Sequence, residues 1–323
     1  MNAIQARMDA RDWAMLVVLS VLWGGSFFFV EVALRGIPPL TLVWLRVGCA
    51  AVLLHLFLRM TGRRLQLAGQ WRRFAVMGLL NNAIPFSLLV WSQTEINGGL
   101  AAILNATTPL WTVLAAHLLT SDEKLTLGKL AGVTLGFAGV ASMLGLDPAL
   151  ADGWSLLPIL ACLVAALSYA LAGIYGRRFK RQAIPPLAAA TGQLTAAGLL
   201  LAPLSLWVDR PWQLTTPTIE VLAAVTALVV LSTMAAYVLY FRLLAAVGAT
   251  NLLLVTLLVP AAAIQLGAIL LGEVMATGQW LGLGCIATAL VAIDGRVPSA
   301  LGLTWSTRSG RLLKHQGAAG RQQ

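Results

Sequence analysis

Hydrophobic positions in this chain gather into long unbroken runs, and polar positions gather into the short breaks between them. Ten runs of roughly 20 residues stand out, each long enough as a helix to cross a ~30 Å hydrocarbon layer. They lie near residues 13–34, 40–60, 74–94, 100–119, 127–146, 154–176, 186–208, 219–241, 251–271 and 277–293. The breaks are short, so neighbouring helices are antiparallel, and none is large enough to be a soluble domain. The pattern predicts an all-α integral membrane protein with ten transmembrane helices.

Special residues recur in order within these runs. Pro109 sits in mid-run, Glu123 ends the run, and Gly128 and Gly132 open the next; Pro260, Glu273, Gly278 and Gly282 repeat that order. The Glu-to-Gly-to-Gly spacing is the same in both copies. Pro38-Pro39 corresponds to Pro185-Pro186, and counting on from those prolines sets Arg46 opposite Gln193. Each unit holds five runs, an odd number, so the second copy enters the membrane from the opposite side. The expected organisation is an N-terminal segment (1–12), a first five-helix repeat (13–146), a second, inverted repeat (154–295) and a basic tail (296–323). Proline-broken spans at matching positions of two inverted halves point to a transporter's binding region, with Pro109 and Pro260 as hinges.

Composition agrees with a membrane protein, since 59% of residues are hydrophobic and 11% charged, too few charges to cover a soluble surface. The first run is too long for a signal-peptide core and has no small-residue cleavage site behind it. The formal charge of +10 is a topology signal. With a cytoplasmic N-terminus, 19 of the 22 basic residues fall on the cytoplasmic side; Arg35 and Arg210 lie outside, and Arg46 lies within a run. That asymmetry follows the positive-inside rule and puts both termini in the cytoplasm. Nucleic acid is therefore not expected as a partner. Cys49, Cys162 and Cys285 each fall inside an apolar run and read as small core residues. No metal-ligand spacing, phosphate-cradling glycine loop or nucleophile–base pair is present, so neither a cofactor nor an enzymatic activity is expected.

Buried ionisable residues need a partner or a wet cavity. Glu31 lies near the outer end of the first run and Arg46 near the start of the second, so they are expected at similar depth, facing each other or sharing one cavity. One reading has Arg46 holding a substrate carboxylate while Glu31 exchanges a proton; the other is a structural ion pair, or a solvated Glu31. Trp23 and Trp111 fall near mid-run and are expected to point inward, Trp23 beside the small residues Gly24 and Gly25. Tyr169 is the approximate counterpart of Trp23. Asn81, Asn82, Asn105, Gln193 and Tyr237 lie at similar depth, as cavity groups or as interhelical glue. Glu123 and Glu273 end their helices at opposite faces and read as contacts to neighbouring loops. Gly128, Gly132 and Gly136, with Gly278 and Gly282, predict close helix packing within the monomer or in a homodimer.

Trp23-Gly24-x-Ser26-Phe27, Pro38-Pro39 with Arg46, and the duplicated Pro…Glu…Gly…Gly block resemble the EamA-type family of the drug/metabolite transporter superfamily, over about residues 13–295. That resemblance implies two inverted five-helix repeats in a bacterial inner membrane. It further implies export or exchange of small metabolites, often amino acids or their derivatives, by alternating access, in some members with proton exchange. Glu31 and Tyr169 depart from the family pattern. The expected function is a secondary transporter with a small-molecule substrate bound by Trp23, Glu31, Arg46, Asn81, Asn82, Asn105, Tyr169, Gln193 and Tyr237. The alternatives are a membrane-embedded enzyme acting on lipid-linked substrates and a non-transporting membrane subunit.

Overall fold

The computed structural model describes residues 9–62, 69–121, 125–146, 156–182, 184–252 and 254–294. Every regular element among them is helical. The first, α1 (Ala10–Ala33), starts three residues before the apolar run because a capping box sets its end: Asp12 N–H donates to Asp9 Oδ1 at 2.8 Å, and Asp9 N–H to Asp12 Oδ2 at 3.3 Å. Pro39 opens α2 (Pro39–Met60), where its fixed φ and missing N–H do no harm. Then follow α3 (Trp71–Ser92), α4 (Gly98–Leu119), α5 (Leu127–Leu146), α6 (Leu156–Arg181), α7 (Pro186–Asp209) and α8 (Ile219–Gly248). Helix α9 runs over Val255–Leu266 into a π-helical turn, Gly267–Leu271, and α10 is Thr277–Asp294.

Seven of these helices, α1 to α4 and α6 to α8, are long and apolar enough to cross a membrane. The other three carry shorter apolar stretches, Leu127–Ser142, Leu258–Leu271 and Thr277–Val291. Glu123 and the tail beyond residue 294 lie outside the described residues.

Packing is mostly between distant parts of the chain. Helix α1 rests on α9 and α8, α2 on α7 and α8, α3 on α6 and α7, α4 on α6 and α9, and α5 on α10. The tightest crossings run over glycine. A Cβ on Gly24 would lie 2.8 Å from Ala263 N and 2.9 Å from Val259 O, so only glycine lets α1 and α9 approach backbone to backbone. The α5–α10 crossing likewise needs Gly139, whose Cβ would meet Gly282 O at 3.0 Å. Gly128, expected on that face, meets nothing within 4 Å; the packing stripe starts further along the helix.

The two proline helices differ. Helix α4 is interrupted at Ala106–Thr107, and Pro109 stands in the first turn of its second half. Pro260 lies inside an unbroken stretch of α9, whose irregular turn comes later, at Gly267.

Candidate functional site

Two π-helical turns build the centre of the molecule. One spans Leu79–Ala83 in α3 and the other Val230–Ala235 in α8. A π turn adds a residue to the helical ladder, strands carbonyls and re-aims side chains, and such turns recur at functional sites. The stranded groups are met by hydroxyls: Ser168 Oγ on α6 donates to the Leu80 carbonyl at 2.7 Å, and Thr233 Oγ1 to the Leu228 carbonyl at 2.8 Å. The same turns carry Asn81, Asn82, Ser232 and Thr233 into the interior.

These side chains form one polar cluster. Asn82 Nδ2 donates to Tyr237 Oη at 3.1 Å; Asn81 Nδ2 lies 3.4 Å from the same oxygen and 3.3 Å from Gln193 Oε1. Arg46, 7% exposed, donates Nε to Thr233 Oγ1 at 3.0 Å and lays its guanidinium 4.0 Å from the centre of the Phe86 ring. Tyr169 and Tyr237 are its electrostatic neighbours, and Tyr169 meets Phe86 edge-on at 6.4 Å. No acidic side chain pairs with Arg46 among the described residues. Asn82 Oδ1 and Ser232 Oγ are buried with no donor or acceptor opposite them. An aromatic chain extends the cluster to α1: Tyr237, Phe241, Tyr240 and Trp23 follow with centroid separations of 6.1, 5.1 and 5.5 Å.

Seven of the residues singled out in the sequence are thus brought together: Trp23, Arg46, Asn81, Asn82, Tyr169, Gln193 and Tyr237. Two are not placed there. Asn105 lies at the α4 interruption with Oδ1 buried and unpartnered. Glu31 is not Arg46's partner. The two side chains leave their helices toward different neighbours: Arg46 reaches Thr233 on α8 and Phe86 on α3, whereas Glu31 faces the α9–α10 connector. Glu31 instead meets the Glu273 carboxyl, within hydrogen-bonding reach. Glu273 lies in the α9–α10 connector, and burial, then the hydrogen-bonded and like-charged Glu31, push its carboxyl up to about 7. Trp111, expected to point inward, packs edge-on against Phe137 at 4.9 Å with its indole N–H unpaired. Phe86 and Gln93 were not foreseen; the signal for Phe86 was its place beside Pro85, one turn on from the asparagine pair.

A groove of about 660 Å³ opens elsewhere, between Phe28 and Val32 of α1, Arg35 in the turn that follows it, Glu220 and Ala227 of α8, and Leu271. The Arg46 cluster does not line it.

A model described as the EamA-like transporter family matches residues 12–145 and again residues 156–293. The chain is 27% identical over 283 residues to an Escherichia coli protein called "Uncharacterized inner membrane transporter YedA", covering 86% of this chain and 89% of that one. It is 27% identical to "Protein PagO" of Salmonella typhimurium, with 83% and 87% covered. An Escherichia coli "Probable amino-acid metabolite efflux pump" is 25% identical over 92% of this chain and 97% of its own. One solved crystal structure, 18% identical, superposes with a TM-score of 0.62 over 88% of this chain and 98% of the other, a likeness of fold.

Proposed function

The chain belongs to the EamA-like transporter family, and on that footing we propose that it is a secondary transporter exporting or exchanging a small carboxylate-bearing metabolite of the amino-acid class. Arg46 carries the reading. A charge removed from water costs several kcal/mol unless it is paired, and among the described residues this guanidinium has the Thr233 hydroxyl, the Phe86 ring and the neighbouring Tyr169 and Tyr237, but no carboxylate. An anionic group on the substrate would complete it, with Asn82, Tyr237 and Gln193 taking further polar atoms and Trp23 closing the aromatic chain beside them. A relative named for amino-acid metabolite efflux is consistent with that class.

The architecture in this proposal is ten membrane spans in two inverted five-helix repeats, both termini cytoplasmic, in the inner membrane. Helix contacts support it. Exchanging each helix with the one five places on turns α1–α9 into α6–α4, α1–α8 into α6–α3, and α2–α8 into α7–α3, all of them contacts made. The pairs α2–α7, α4–α9 and α5–α10 map onto themselves. Alternating access would use the α4 interruption before Pro109 and the irregular end of the Pro260 helix as flexing points.

The test is counterflow in liposomes containing the purified chain, with amino acids and their decarboxylated amines compared as probes. Exchange of the acids but not the amines is expected. Exchange of neither class would favour a non-transporting membrane subunit.

A further inference from the structure

Glu31 and Glu273 meet where α1, the N-terminus of α4 and the α9–α10 connector converge. Gly272 reverses the chain with a φ of 70°, and Glu273 N–H then donates to the Gly267 carbonyl at 3.2 Å. Gly267 leaves the room, since a Cβ there would collide with the Glu273 carboxylate. Gly98 N–H, in the first turn of α4, donates to Glu273 Oε1 at 3.3 Å, a contact that the positive end of the helix favours.

Around this pair stand acceptors without a donor. Gln93 is 8% exposed; its Nε2 donates to the Leu89 carbonyl at 3.3 Å, which leaves its Oε1 buried and unpartnered. Glu31 Oε2 is buried and unpartnered too. Both oxygens converge on Gly98, where an added Cβ would lie 3.4 Å from Gln93 Oε1 and 3.5 Å from Glu31 Oε2. Other charged groups on these and the neighbouring elements are Arg35 in the turn after α1, Glu95 in the α3–α4 turn and Glu220 on α8. None contributes to the surroundings of Glu273, which are set by Glu31 and the Gly98 and Gly99 amides. The described parts of α9 and α10 that pack here bring no basic residue. Two ionised carboxylates at this range repel, and one proton between them removes the repulsion and supplies the missing donor.

We propose that Glu31 and Glu273 together bind one exchangeable proton, which holds shut the end of the molecule formed by α1, α4 and the α9–α10 connector. The proposal rests on the transporter reading and makes a proton its coupling ion. When the proton leaves, two like charges drive α1 and the connector apart. The device belongs to one end only: counting on from the matched prolines sets Arg178, not a carboxyl, opposite Glu31. The raised Glu273 carboxyl puts binding and release in the neutral range, where a transmembrane pH difference can drive them.

Infrared difference titration of the purified full chain between pH 5 and 9, with no solute added, reads the protonated carboxyl directly. A carboxylic C=O band bleaching with a midpoint near pH 7 is expected. Glu273→Gln should abolish it, and Glu31→Gln should move it toward acid by about one unit or more, because the repelling neighbour is gone. No band titrating near neutrality in the wild type overturns the proposal, whatever the variants do. So does a band that both variants leave unchanged, or one that follows sodium at constant pH. Amino-acid counterflow separates the two readings. Counterflow without the band sinks the proton site and spares the transporter; the band without counterflow of any amino acid sinks the transporter and spares the bound proton.

Discussion

Arg46 and the Glu31–Glu273 pair are two sites with opposite deficits. Among the described residues the first is a cation with no anion beside it, and the second is two carboxyls with no cation beside them. Their surroundings separate the ligands they can take. Arg46 stands among the amides and hydroxyls of two π-helical turns, with the Phe86 ring and the Tyr237 hydroxyl beside them, groups that can hydrogen-bond and stack on a polar organic molecule. The carboxyls meet over bare glycine backbone, and an added Cβ at Gly98 would already lie 3.2 Å from Phe27 Cβ. That close approach leaves little room beside Gly98, and a proton needs none. A buried charge left unpaired identifies the sign of its ligand, and packing density identifies its size.

The sharpest way to break the contrast is Arg46→Met. Apolar replacement of a buried charge is often neutral or stabilising by about 1–4 kcal/mol, so the variant should unfold no earlier than wild type. Exchange of carboxylates should fall by about 100-fold, the loss of a charge-assisted contact worth roughly 3 kcal/mol. Thermal unfolding in detergent and liposome counterflow measure the two sides. A variant that loses stability and keeps transport would make Arg46 a structural residue.

Sequence made the two sites unequally legible. The Arg46 cluster could be gathered from depth alone, because Asn81, Asn82, Gln193 and Tyr237 all lie mid-run, and lipid excludes such side chains wherever they point. The pairing of Glu31 with Glu273 could not. It joins residues 242 positions apart and depends on how α1 crosses α9, which Gly24 permits but no periodicity announces. Glu273 read as a contact to a neighbouring loop, and it does reach Gly98 beside the α3–α4 turn; its second neighbour was the unseen part. The π turns left no compositional trace either, since one extra residue in a ladder looks like any other apolar helix. Of the duplicated prolines, Pro109 marks an actual interruption and Pro260 does not, so identical spacing did not dictate identical backbone.

On the carboxyl side, pH separates the sites. Glu273 is raised from 4.5 to about 7, so between those values the folded chain holds a proton that the unfolded chain has lost. Stability then falls as pH rises through that window and levels off above it. The unfolding temperature in detergent should therefore decline from pH 5 to pH 7.5, and Glu31→Gln should flatten the decline. Gly267→Val attacks the same site sterically, displacing the Glu273 carboxylate at a cost of about 1–3 kcal/mol for overpacking. It should remove the neutral-pH dependence as well. If either variant instead alters the pH-independent selectivity between amino acids and amines, the two sites are not distinct.

Tyr237→Phe is the smallest and most local change. The hydroxyl accepts from Asn82 and faces Asn81, and removing it leaves the buried Asn82 amide short of an acceptor while Asn81 keeps Gln193. One neutral hydrogen bond is worth about 0.5–1.5 kcal/mol, so apparent affinity for a carboxylate substrate should weaken about two- to tenfold. Phe keeps the ring against Phe241, which holds the aromatic chain to Trp23 in place. The pH dependence of unfolding should stay as in wild type, because Tyr237 takes no part in the setting of Glu273. Concentration-dependent counterflow reads the affinity and detergent unfolding across pH reads the other arm. An affinity loss accompanied by a shifted pH response would mean that the arginine site and the carboxyl pair communicate through α8 and α1 even before any substrate binds.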